Sequence, residues 1–223
     1  MKRKYIYILI LALSLNSCEF SINTNKSPKS EKVGLGKMPK VESKTYENIY
    51  IADEILCKEQ KLPLTRFAIE YPNGLDVSKP KNGSEHIGIK KKANGIIIED
   101  ISIGNTTIVI STQKNSLELI ENLVADFKRQ NPKMETISIS KKKFNGEMTY
   151  LFEGKFDFSG YKEHGYDGIY KAIFLIPIPK KNEKINAVII SFLANEQSEI
   201  KEFSDFYKKG VIGNIYKTFR YLE

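Results

Sequence analysis

Only two cysteines and two histidines occur among the 223 residues, and tryptophan is absent. The histidines, His86 and His164, are far apart in sequence, and Cys57 is the one cysteine beyond the N-terminal region. Metal sites draw on clustered His, Cys and carboxylate ligands at fixed spacings, so no metal ligand set is expected. No Gly-x-Ser-x-Gly elbow and no phosphate-cradling glycine loop is present. The adjacent carboxylates Glu99 and Asp100 point to opposite faces if they lie on a strand, so they cannot flank one bond. Ser159 near His164 is the closest approach to a nucleophile and base. No catalytic residue and no cofactor is expected.

Long apolar runs are scarce as well. Lys2, Arg3 and Lys4 precede an eleven-residue run from Tyr5 to Leu15. Spanning a hydrocarbon core of about 30 Å takes roughly 20 residues, so this run suits a cleaved signal rather than a durable membrane helix. The segment that follows, Leu15-Asn16-Ser17-Cys18, resembles the lipobox of bacterial lipoproteins, with Asn16 looser than the usual small residue. That resemblance implies cleavage of residues 1–17 and attachment of palmitate-type acyl chains to Cys18, which anchor the mature chain to a membrane of the cell envelope. Two or three chains hold firmly where one holds marginally. Cys57 is then left without a partner, so no structural disulfide is expected. Loss of the three N-terminal cations takes the formal charge from +8 to +5. An exported chain meets anionic headgroups and glycans, so nucleic acid is not an expected partner.

Residues 18–45 are rich in Lys, Ser, Asn and Pro and read as a tether with a typical reach of about 30 Å. One domain, 46–223, follows. Leu64 to Tyr71 reads as a strand stopped by Pro72-Asn73-Gly74. His86 to Lys92, Ile96 to Ile103 and Thr106 to Thr112 read as a meander turning at Asn94-Gly95 and Gly104-Asn105, dipeptides that favour the positive φ of tight hairpins. Asn115 to Gln130 carries Leu117, Ile120, Leu123, Val124 and Phe127 on one helical face, with Asn115 and Glu118 spaced as a capping box. Met134 to Lys143 and Glu147 to Phe156 flank Asn145-Gly146. Ile169 to Ile178 and Ile185 to Ala194 barely alternate in polarity, which predicts strands covered on both faces. Ser198 to Tyr221 has helical spacing throughout, interrupted by Gly210 and Gly213.

This order of elements, with Phe67-Ala68-Ile69-Glu70-Tyr71-Pro72-Asn73-Gly74 ending the first strand, resembles the PsbP-like families, which include DcrB-type envelope lipoproteins. The resemblance spans about Leu62 to Leu222. Leu75 stands where the family often has tryptophan. It implies an α+β fold, a PsbP-like sandwich in which an antiparallel sheet is flanked by helices, and accessory or partner-binding roles rather than catalysis.

Phe156 to Tyr170 collects Phe156, Phe158, Tyr161, Tyr166 and Tyr170 among Gly160, Gly165 and Gly168. Tyrosine on a glycine-bearing loop offers rigid contact area with a hydroxyl, so Tyr161, His164 and Tyr166 are expected at the surface as a site for an envelope protein, peptide or glycan. The alternative is a connection whose rings pack locally. Lys90-Lys91-Lys92 and Lys141-Lys142-Lys143 read either as patches for anionic lipid or as solvated strand edges. The function expected is that of a membrane-anchored, noncatalytic accessory or binding protein. An envelope hydrolase and an immunity-type lipoprotein that binds a toxin are the alternatives.

Overall fold

The computed structural model describes residues 44–79, 85–106, 113–130, 132–144, 147–179 and 185–222. The signal, Cys18, the tether before residue 44, the Asn145-Gly146 turn and the expected strand past Thr106 lie outside them.

The architecture is α+β. The main sheet has seven antiparallel strands: β3 (Asp76–Ser78), β4 (Glu85–Ala93), β5 (Ile96–Asn105), β6 (Glu135–Phe144), β7 (Glu147–Asp157), β8 (Ile169–Leu175) and β9 (Val188–Asn195), in the order β3-β4-β5-β9-β8-β7-β6. A smaller sheet sets β1 (Asn48–Ala52) and β10 (Arg220–Tyr221) on either side of β2 (Phe67–Tyr71). The strand that opens the family motif therefore belongs to the small sheet, and the meander to the large one. Between β1 and β2, α1 (Glu54–Glu59) begins where the Asp53 side chain accepts from the Leu56 amide.

Asn94 and Gly95 take φ of 51° and 79° and close the two-residue β4–β5 hairpin, as their sequence predicts. Gly104-Asn105 does not turn. Both residues continue β5, paired with Ile189 and Val188 of β9, because the ladder to a neighbouring strand outweighs a local turn preference. The weakly alternating strands are central: all eight residues of β9 are buried.

One core lies between the large sheet and the small sheet with its C-terminal turns, and holds Phe67, Ile69, Ile101, Phe192, Ile212 and Phe219. The other lies under α2 (Gln113–Gln130), where Leu119, Ile120, Leu123, Val124 and Phe127 meet Phe152, Phe156 and Phe174. Cys57 is buried, its sulfur 3.6 Å from both the carbonyl and the hydroxyl oxygen of Thr65.

The long C-terminal helix expected over Ser198 to Tyr221 is broken instead into a 3₁₀ turn (Phe203–Tyr207), the short α3 (Gly210–Ile215), a second 3₁₀ turn (Tyr216–Thr218) and β10. The two glycines give the reason. Gly210 has φ +72°, outside helical space, and a Cβ there would stand 2.9 Å from a Glu99 carboxylate oxygen. A Cβ at Gly213 would lie 2.5 Å from the Phe206 carbonyl oxygen, so the chain folds back at closest approach.

Candidate functional site

The aromatic loop is packed inward. Tyr166 is 1% exposed, and its hydroxyl donates to Asp100 at 2.5 Å. Its ring meets Phe158 and Tyr170 at centroid distances of 5.5 and 5.6 Å. The Tyr170 hydroxyl donates to the Ile97 carbonyl, and the Ile97 amide donates to the Gly165 carbonyl at 2.7 Å, fastening the loop to the start of β5. Gly165 reaches that position with φ +81°. The expectation that Tyr166 lies on the surface is corrected: a buried acceptor, Asp100, waits on the sheet, and a desolvated carboxylate draws in the nearest hydroxyl. Tyr161 and His164 stay half-buried, Tyr161 edge-on to Phe158 at 5.7 Å and His164 beside Glu163 at 3.5 Å. The Ser159 hydroxyl donates to Asp157 at 2.6 Å, so Ser159 and His164 are each engaged elsewhere.

Glu99 and Asp100 do face opposite sides of the sheet, Glu99 towards α3 and Asp100 towards Tyr166. Around Asp100 the sheet carries buried polar groups: Glu85, Lys90 and Ser102, with the Ser102 hydroxyl donating to Asp100 at 3.1 Å. Lys90 is therefore neither lipid patch nor solvated edge; at 4% exposure it sits among carboxyls with its ammonium 5.8 Å from the Tyr166 ring centre. Lys91 and Lys92 turn to Glu99 and Asp76. His86 is fully buried, 3.0 Å from the Thr65 hydroxyl, and burial pushes its imidazole down to about 4, a shift that the Asn105 side chain partly offsets.

Burial, and then the Asp100 carboxylate, push Glu85 up to about 8, against the smaller opposing effects of Lys90 and Ser102. An unfolded carboxyl titrates near pH 4.3. Between the two values the folded chain holds a proton that the unfolded chain has released, so this contribution to stability is full below the lower value and is lost as pH rises through the upper one. Glu85→Gln is expected to flatten that slope and to raise stability at pH 8.5 relative to its effect at acid pH by several kcal/mol, at about 1.4 kcal/mol per unit of the difference. Urea unfolding at both pH values measures it, and parallel wild-type and variant curves would refute the assignment.

The second candidate site is a solvent-open cleft of about 480 Å³ lined by Tyr46, Pro72, Lys91, Glu199, Lys208, Lys209, Gly210, Val211 and Asn214. Behind the lining residues Lys91 and Val211 lies the Glu99 carboxylate, wholly buried, which accepts from the amides of Val211 and Ile212 at 2.9 and 3.2 Å and from the Ser198 hydroxyl at 3.0 Å. The Lys91 ammonium is 3.7 Å from it. Lys209 pairs at 3.0 Å with Asp205, whose carboxyl that ammonium and the Glu202 and Lys201 amides hold below its usual range. Each carboxylate also takes backbone amides, which leaves the ammonium groups outermost. Lys208 is exposed.

Tyr46 fixes one rim, and Glu70 fixes Tyr46. The Glu70 carboxylate accepts from the successive amides of Lys44, Thr45 and Tyr46 at 3.1, 2.6 and 3.3 Å and pairs with Arg220 at 2.9 Å. Burial alone would raise this carboxyl; the Thr45 amide, Arg220 and the Lys44 and Tyr46 amides outweigh it and hold it low. The chain thus joins the domain beside the cleft. Sequence reading missed this site, although the Lys91 run, Lys208-Lys209-Gly210 and Pro72 of the strand-ending motif all contribute to it. Their sequence separation hides their proximity. Among the described residues no group of three or more His, Cys, Asp or Glu could hold a metal.

No family model matches the chain, and no curated protein matches it in sequence. Among solved structures it is similar to the cyanobacterial PsbP (CyanoP) of Synechocystis, with a TM-score of 0.48 and 12% identity, over 84% of this chain and 99% of that one. A protein from Bacteroides thetaiotaomicron is similar with a TM-score of 0.42 and 14% identity, over 70% of this chain and 45% of that one. Both likenesses concern the path of the chain in space.

Proposed function

We propose that the protein is a noncatalytic accessory protein of the bacterial cell envelope, held to a membrane by acyl chains on Cys18 and binding through the cleft beside Tyr46. The cleft carries the binding role: it is open to solvent, presents three ammonium groups to one carboxylate, and offers the apolar surfaces of Tyr46, Pro72 and Val211 between them. Lys91 and Lys209 are matched by the more buried Glu99 and Asp205, so it is the outward placement of their ammonium groups, with the exposed Lys208, that favours a ligand with an anionic group. The noncatalytic reading is supported by Ser159 and His164, each held by a different carboxylate neighbour. The anchoring reading is supported by Leu15-Asn16-Ser17-Cys18 and the charged and apolar segments ahead of it.

Two experiments test the two halves. Cys18→Ala is expected to abolish acyl incorporation and to move the protein out of the detergent-extracted membrane fraction or stall its processing. Unchanged acyl labelling would overturn the anchor. A photoreactive residue in place of Asn214, on the cleft, is expected to capture a defined envelope component in intact cells, while one in place of the exposed Glu121 on α2 captures none. Equal capture from both positions would remove the cleft as the site.

A further inference from the structure

The cleft opens where the tether joins the domain, and that placement says what it meets first. Lys44, Thr45 and Tyr46 are pinned by Glu70, and Tyr46, two residues into the described chain, lines the cleft. Residues 18–45 carry six lysines against three glutamates, so the chain leading to that rim is itself cationic. The ammonium groups of Lys91 and Lys209 sit outside their carboxylates, Lys208 is exposed beside them, and among the described residues Lys208 has no ion pair. The sequence is thus cationic up to the rim, and there the folded domain presents the exposed Lys208 and Lys209, with Glu199 the one acidic residue in the lining.

We propose that this face of the domain, Lys91, Lys208 and Lys209 around Tyr46 and Pro72, docks on the anionic headgroups of the bilayer that holds the tether. The idea rests on the anchored reading above. A lysine near an anionic membrane surface gains about fivefold in binding, and a tethered domain meets that surface at an effective concentration far above its bulk value. Weak attraction per lysine is therefore enough to orient the domain. An acidic protein segment is the competing occupant.

The test uses the mature chain, residues 18–223, with Cys18→Ala, so that neither an acyl chain nor the cationic, apolar signal contributes, and two vesicle preparations: phosphatidylcholine alone, and phosphatidylcholine with phosphatidylglycerol. Preferential binding to the anionic vesicles is expected, weakened at least about tenfold by Lys208→Gln with Lys209→Gln and suppressed by added salt. Melting temperature checks that the double variant remains folded. A fluorophore on Asn214→Cys should be quenched by headgroup-labelled lipid, and one on Glu121→Cys should not. Equal binding to both vesicle types, equal binding by wild type and double variant, or equal quenching at the two positions would each overturn the docking. Capture of a protein from Asn214 in cells without vesicle binding would sink the membrane docking and leave the accessory role standing, whereas loss of anchoring alone shows in acyl labelling.

Discussion

Replacing Glu99 with alanine is expected to cost about 3 to 5 kcal/mol of unfolding free energy. Three donors converge on that carboxylate, the amides of Val211 and Ile212 and the Ser198 hydroxyl, and the Lys91 ammonium pairs with it at 3.7 Å. Lys91 is 31% exposed and can turn to water, but the amides open α3, whose N-cap residue Lys209 makes no side-chain cap. Each donor stranded in this way costs about 1 to 3 kcal/mol. Glu99→Gln keeps an acceptor for the amides and loses the charge, so it should cost roughly half as much. Urea unfolding of both variants gives the comparison. A Glu99→Ala loss below about 1 kcal/mol would mean that water reaches these amides.

Tyr166→Ala is expected to lower stability by about 3 to 5 kcal/mol, as removal of a large buried ring does. The ring is packed against Phe158 and Tyr170, and its hydroxyl is a donor to Asp100. Tyr166→Phe isolates the hydroxyl and should cost about 1 to 3 kcal/mol, because it leaves a buried carboxylate oxygen short of that donor. Tyr161→Ala, at a half-buried position, should cost less than either. Thermal and urea unfolding rank the three. If Tyr166→Ala unfolded like wild type while partner capture fell, the loop would be a recognition surface after all; the expected ranking marks it as the clamp that closes β5 and β8 over a polar sheet face.

The aromatic loop shows where sequence reading stopped. Its composition, tyrosines among glycines, is the same for a recognition loop and for an inward-packed one. What separates them is the acceptor, and Asp100 is 66 residues away in the chain. The adjacent pair Glu99-Asp100 was readable as two carboxylates on opposite faces. Their separate duties, holding the amides that open α3 and receiving a tyrosine, depended on what folded over each face.

Features set by neighbours within about four residues were legible in the sequence: the Asn94-Gly95 hairpin, the amphipathic α2, and the largely apolar β8 and β9 at the centre of the sheet. Local sterics and periodic burial decide these, and both are written in short stretches. Only the tertiary structure decided the rest. Gly104-Asn105 stayed extended because β9 lay alongside, and the C-terminal segment broke at Gly210 because Glu99 offered its amides a better acceptor than a continuing helix would. Lys90 went inward because carboxyls from β4 and β5 surrounded it, and the cleft arose because Glu70 drew residues 44–46 to the side where Lys91 and Lys208-Lys209 meet. Each of these is a contact between residues distant in the chain, whose energy exceeds the local preference it overrides.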